Sequence, residues 1–376
     1  MTESDYLSGR DPEAMLALVG ARLSTRRWHL LSAAVTRRLW DHLPAGPLRE
    51  AVEWVEQHAG TAHTDPAAGE WLTKLGPAAD TARDEARTVQ YEVVKPADPD
   101  ADPDSFQHTD ARRTNPAAPL FQAACRYASN SLDQATEAAG HAATVVAALV
   151  ETPPGPAQLT AVRAMVVEAT RVRAAANLDA SSALKLKAEG DEAADLDNRK
   201  NVNVRYAAAL QTVTNEEESA GARRDEVEEQ KEKADRKAAA RFVHEIAGNP
   251  FKPFRFDPAW RTDTVVGLAT AIDAGRHFDR MPILADALLD ADCDEETVLR
   301  HCRGTEAHAP DGPAHARGCW VIDLILGRET TYFDAPPLVP SPPPPPAPPA
   351  KKPAPALGGM DRLFAALRQA DDEDDV

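Results

Sequence analysis

Apolar positions recur at intervals of three and four along the first ninety residues. Between Ser24 and Leu43, Trp28, Leu31, Val35 and Leu39 fall on one helical face, with Ser24 placed to cap it. Upstream, Asp11 stands where a helix needs an N-cap and Pro12 takes the first helical position, where its missing donor costs nothing. Leu48, Val52 and Val55 repeat the pattern behind Pro47. Three short amphipathic helices predict a small bundle over residues 1–94.

The pattern stops at residues 95–119, where Asp-Pro and Asn-Pro pairs drive the preceding residues out of the helical region and predict a linker. Residues 120–247 resume helical periodicity on an alanine background. Leu159, Val162, Met165, Val166 and Ala169 share one face, and Thr-Pro-Pro-Gly-Pro at 152–156 forces a turn, so residues 120–150 and 157–190 predict a long antiparallel hairpin. Dense mixed charge over 198–240 predicts a further long helix supported by i,i+4 pairs, with Gly221 as a candidate break. Residues 248–333 predict a compact helical module. Thr262 or Asp263 opens a helix ending at Gly275, Pro282 starts a second, and Asp294 starts a third that Gly304 ends. Phe251, Phe254, Trp260, Phe278 and Ile283 are its expected core. The apolar run 318–327 fits a helix or a buried strand by period, and its helical company favours the helix. The expected fold is therefore all-α, a multi-helix bundle with a long Ala-rich hairpin, followed by a Pro-rich linker and a short C-terminal helix.

That linker, residues 334–356, favours extended polyproline II and acts as a semi-rigid spacer. In residues 357–376, Met360, Leu363, Phe364 and Leu367 recur at i, i+3, i+4 and i+7, the spacing of anchors that lie in a partner's groove. Five acids follow, Asp371 to Asp375, suited to a basic rim. The conjunction predicts a non-enzymatic adaptor recruited to a protein partner or larger assembly through residues 357–376.

Charge narrows the partners. A formal net charge of −18 and a pI near 5.1 oppose binding to a phosphate backbone, which needs clustered cations, so no nucleic-acid partner is expected. The basic pairs Arg26-Arg27, Arg37-Arg38 and Arg223-Arg224 read as solvated helix faces. No apolar stretch approaches the ~20 residues of a membrane span, and the start lacks a signal-peptide pattern. Together with only 4 scattered cysteines, this gives a cytoplasmic expectation.

Candidate chemistry concentrates at Cys293, His301, Cys302, His315 and Cys319. Three thiols and an imidazole (Cys293, Cys302, His315 and Cys319) make a possible zinc set, and adjacent His301 and Cys302 point in different directions on a helix. Packing of buried thiols is the simpler reading, so no cofactor is expected and zinc is the alternative. His244-Glu245 lacks the second histidine of an HExxH motif, because Gly248 stands there. No Walker, dinucleotide or nucleophile-elbow motif is present. Asp279, Arg280, Asp286, Asp290 and Asp323 form either an acid or anion site or ordinary caps and ion pairs.

Two stretches carry a resemblance. Residues 11–43, starting DPEAMLALVGARLS, and residues 248–329, with GNPF, DPAW, FDRMPILADALLDADC, HCRG and RGCWVIDLILG, resemble a planctomycete-type family whose members carry no assigned activity. Some members bear a label for a mixed α/β cell-wall-regulator domain, but the strand patterns it needs are absent here. Family members often have cysteines in the second N-terminal helix, where this chain has LLSAAVTRRLW. The alternative to an adaptor is a metal-dependent or small-ligand enzyme domain in residues 248–329.

Overall fold

Alanine decides the centre of this fold. In the computed structural model, which describes residues 1–94, 117–195, 202–252, 256–305 and 315–328, three long helices form the frame. They are α6 (Ala118–Glu151), α7 (Pro156–Asp195) and α8 (Val202–Ala247). Helices α6 and α7 are antiparallel across the turn at Thr152–Pro156 and make the most extensive pairing in the molecule. Buried Ala135, Ala142, Ala169 and Ala176 lie among the residues of this pair, where a missing γ-carbon lets backbones approach. Helix α8 runs for 46 residues, about 70 Å at the usual rise, and continues through Gly221 without a break.

The N-terminal helices α1 (Glu3–Ser8), α2 (Pro12–Val19), α3 (Thr25–Thr36), α4 (Pro47–Gln57) and α5 (Ala67–Val94) wrap one end of this frame. Asp11 and Ser24 cap α2 and α3 through the backbone N–H of Ala14 and Arg27. Trp28, Leu31, Val35, Leu39, Leu48, Val52 and Val55 are all buried. Their core is continuous with Val146, Leu149, Val162, Val166, Val243 and Ile246 of the long helices. The N-terminal bundle is thus one layer of a shared core. A second cluster around Leu120, Tyr127, Leu186 and Val213 closes the far end.

The C-terminal module contains α9 (Asp263–Gly275), α10 (Met281–Asp290), α11 (Glu296–Arg303) and α12 (Trp320–Ile325). Thr262 caps α9, Gly304 ends α11 in the left-handed region, and the run 318–327 is helical over Trp320–Ile325. The third helix starts one residue later than its sequence signal, with Glu295 as its cap. Its core is more aliphatic than the sequence suggested: Val265, Ile272, Leu284, Leu288, Val298 and Ile325 surround Trp320. Trp260 and Phe278 pack at its edge, Phe251 joins the larger core, and Ile283 is 53% exposed. Phe254 lies outside the described residues.

The reading of the arginine pairs as solvated faces is overturned. Arg27 is fully buried, and its guanidinium donates to the Ile246 carbonyl at the end of α8. Arg26 and Arg27 both pair with Asp323 of α12, Arg37 with Glu56, Arg38 with Asp235, Arg223 with Glu216 and Arg224 with Asp179. Helices packed through small residues leave too little aliphatic surface to satisfy every interface, so long cations reach across to buried acids. Among the described residues there is no strand, and no helix is long and apolar enough to cross a membrane.

Candidate metal centre

Three separate stretches of chain meet beside Trp320. Glu245 lies in the last turn of α8, inside the apolar sequence Phe242–Ala247, which faces the core because Val243, Ile246 and Ala247 are buried there. His301 comes from α11, where Val298, Leu299 and Cys302 are buried as well. His315 and Cys319 precede α12, with Cys319 at its N-cap position.

These residues bring four donor atoms together, all within 4.8 Å of one another. His301 Nε2 lies 3.3 Å from Cys319 Sγ and 3.3 Å from Glu245 Oε2. His315 Nδ1 lies 3.2 Å from both carboxylate oxygens. The backbone N–H of Ala316 also donates to Glu245, at 3.4 Å. The two imidazoles meet edge to face with centroids 5.0 Å apart. Side-chain exposure is 3% for Glu245 and His301 and 5% for His315, while Cys319 is completely buried.

The electrostatics follow from this enclosure. Burial pushes the Glu245 carboxyl upward, but the facing His315 and His301, with hydrogen bonds from His315 and Cys319, more than offset it and hold the group below its ordinary value. Burial and the adjacent carboxylate together push the Cys319 thiol well above its ordinary range. Trp320 Nε1 donates to His301 Nδ1 at 3.3 Å, which leaves the hydrogen of a neutral His301 on Nε2.

The donor set fits a divalent ion of the zinc class. Bonds of about 2.0–2.3 Å arranged tetrahedrally place ligand atoms roughly 3.3–3.7 Å apart. The contacts of His301 with Cys319 and of Glu245 with both histidines are 3.2–3.3 Å, and the remaining pairs, within 4.8 Å, would draw in around an ion. One thiolate, one carboxylate and two neutral imidazoles would neutralise a doubly charged ion, as a buried site requires. Coordination through His301 Nε2 would move its hydrogen to Nδ1, so the Trp320 contact would have to open.

The structure sorts the sequence candidates. His315 and Cys319 enter the cluster, whereas Cys293 and Cys302 are buried in the apolar core of the module. His301 joins and its neighbour Cys302 does not, in keeping with their different directions on the helix. Glu245 is the residue that sequence reasoning missed, although a carboxylate inside Phe-Val-His-Glu-Ile-Ala was a visible signal of a buried acid needing partners. Asp323 is a buried ion-pair partner, Asp286 pairs with Arg303 at 3.3 Å, and Asp279, Arg280 and Asp290 are exposed. Met360, Leu363, Phe364 and Leu367 lie outside the described residues.

The fold and the cluster together define an all-helical protein with an enclosed Glu-His-His-Cys donor set. No family model, curated protein or solved structure matches the chain.

Proposed function

We propose that this chain is a non-enzymatic helical adaptor whose C-terminal module is pinned to the long helices by a structural zinc-class ion. Residues 357–376 then engage a protein partner. The carrying observation is the enclosure of the four donors, whose side chains are at most 5% exposed. A catalytic metal keeps an open position for water or substrate, while a structural one is closed by four protein ligands. Glu245, His301, His315 and Cys319 supply those four. The ion would join the end of α8 to α11 and to the start of α12, three segments that share few local contacts.

The resemblance to a family without assigned activity is compatible with a scaffold role and adds no reaction. The proline-rich sequence of residues 334–356 and the periodic spacing of Met360, Leu363, Phe364 and Leu367 support recruitment through the C-terminal stretch.

The test has two arms. The full chain, purified without chelator from zinc-supplemented medium, is expected to carry one zinc by elemental analysis. Cobalt substitution should give the visible bands of a tetrahedral thiolate site, with the sulfur-to-metal band lost in Cys319→Ser. A folded, metal-free protein that takes up neither ion would remove the metal from the proposal. In the second arm, residues 350–376 on an inert carrier should retain a partner that Phe364→Ala loses. Identical retention by both would remove the recruitment motif.

A further inference from the structure

A pocket of about 280 Å³ opens where α5, α6 and α7 meet the segment after α3. Its floor is alanine, including Ala82, Ala139 and Ala169, and Leu39 and Leu43 extend the apolar wall. Arg173 of α7 lines the same space, with His42 and Arg49. The volume accommodates roughly nine water-sized groups.

Arg173 differs from the other arginines that line the long-helix interfaces. Arg163 reaches Asp235 at 2.8 Å, Arg223 reaches Glu216 at 2.6 Å, and Arg38 and Arg224 each hold a carboxylate. Arg173 is half-buried, and among the described residues no carboxylate lies within ion-pair distance of it. Burial lowers its pKa, with no acid acting against that shift. A guanidinium partly withdrawn from water and left without a counter-ion costs stability, and such a cost is understandable where a ligand supplies the missing anion. Asp41 and Glu85 also line the pocket but are exposed and make no ion pair with it. Arg49 is already committed through Nε to the Leu43 carbonyl at 2.8 Å and stacks over Trp40, which fixes a second guanidinium on the wall.

We propose that this pocket binds a small organic carboxylate, its head on Arg173 and its short apolar body on the alanine floor. The site is independent of the Glu-His-His-Cys cluster and shares none of its residues. A monocarboxylate with an aliphatic chain of about eight carbons matches the volume. Fatty-acid fragments and short branched or aromatic acids share this chemistry.

The experiment uses the full chain and sodium octanoate, followed by calorimetry, with 1-octanol and inorganic phosphate as comparison probes. Octanoate should saturate one site, and Arg173→Gln should weaken it roughly 10- to 100-fold, the usual worth of a charge-assisted hydrogen bond. Arg173→Lys should recover part of that loss. Both probes that carry only half of the chemistry should bind more weakly than octanoate. Without ligand, Arg173→Gln should melt no lower than the parent chain, because the replaced charge has no protein partner to lose. Octanoate that does not saturate by about 10 mM, that binds Arg173→Gln equally well, or that phosphate matches would overturn the proposal. Zinc content in the same variants reads the metal centre separately, so failure of either idea is visible without the other.

Discussion

Arg26 on α3 and Asp323 on α12 meet in a two-pronged ion pair, with nitrogen-to-oxygen distances of 2.7 and 3.0 Å, although 297 residues separate them. Arg27 adds a second guanidinium to the same carboxylate at 3.5 Å, and Arg328 a third at 3.8 Å. Asp323 has no solvent exposure. One acid therefore joins the first layer of the bundle to the last helix of the module. Asp323→Ala is expected to destabilise the chain by about 3–5 kcal/mol, because cations remain facing an uncharged site. Arg26→Ala should cost less, since Asp323 keeps Arg27 and Arg328 as cationic partners. Urea unfolding of both variants orders the two effects.

Two buried groups both make the fold acid-sensitive, in successive windows. His29 accepts a hydrogen bond from the Gly60 N–H at 2.9 Å and lies 5.4 Å from the His63 ring, so burial and the second imidazole depress its pKa to about 4. The unfolded chain takes up this proton first, near 6.5, so the contribution is complete above that value and is lost as pH falls toward 4. His29→Asn keeps an acceptor for Gly60 and removes the titration. It should flatten the loss of melting temperature across this window.

Glu216 behaves as an acid should. Burial raises its pKa, but Lys185, Ser182 and Arg223 more than offset this and hold it at about 2. Its contribution is present above 4.5 and lost as pH falls through 2. Lys185 and Arg223 are substantially exposed, so solvent screening reduces the value of the network to about 1–2 kcal/mol. Glu216→Gln should lower stability at neutral pH by about that amount and remove the dependence below pH 4.5, as read by chemical denaturation.

Gly248 connects the end of α8 to the proposed centre. Its φ is +60°, its carbonyl accepts from Tyr6 Oη at 2.9 Å, and a Cβ there would stand 3.3 Å from Trp320 Cγ. Gly248→Ala should cost about 1–2 kcal/mol through left-handed strain alone, with added pressure on Trp320. Because the Trp320 ring packs 5.2 Å from that of His301, displacing it should shift His301 from its place in the cluster, and the variant should bind cobalt more weakly than the parent chain. Equal cobalt affinity would separate the backbone turn from the centre.

Chelation of the proposed ion offers a direct stability readout. At free zinc about a thousandfold above the dissociation constant, linkage contributes about 4 kcal/mol, and removal should lower the melting temperature accordingly. Trp320 fluorescence should change at the same time, because its contact with His301 must reorganise when the ion leaves. In Glu245→Gln both responses should shrink.

Much of the fold was written locally. The spacing of Trp28, Leu31, Val35 and Leu39, the caps at Asp11 and Ser24 and the turn at 152–156 each express short-range rules, so the helices and the hairpin were legible. Helicity of 318–327 was a narrower inference, since a short apolar run satisfies two periods. The arginine pairs were misread because charge looks solvated in a sequence whenever its counter-ion is distant.

The sequence by itself determined an all-helical chain and drew attention to His315 and Cys319 as donors. Only the tertiary structure decided that Glu245 and His301 stand beside them, that Cys293 and Cys302 belong to a packed core, and that the N-terminal helices share a core with the long ones. Helix formation depends on neighbours three and four residues apart, and those are written side by side. A donor cluster depends on where chain segments end after packing, and 74 residues separate Glu245 from Cys319, as their numbers show.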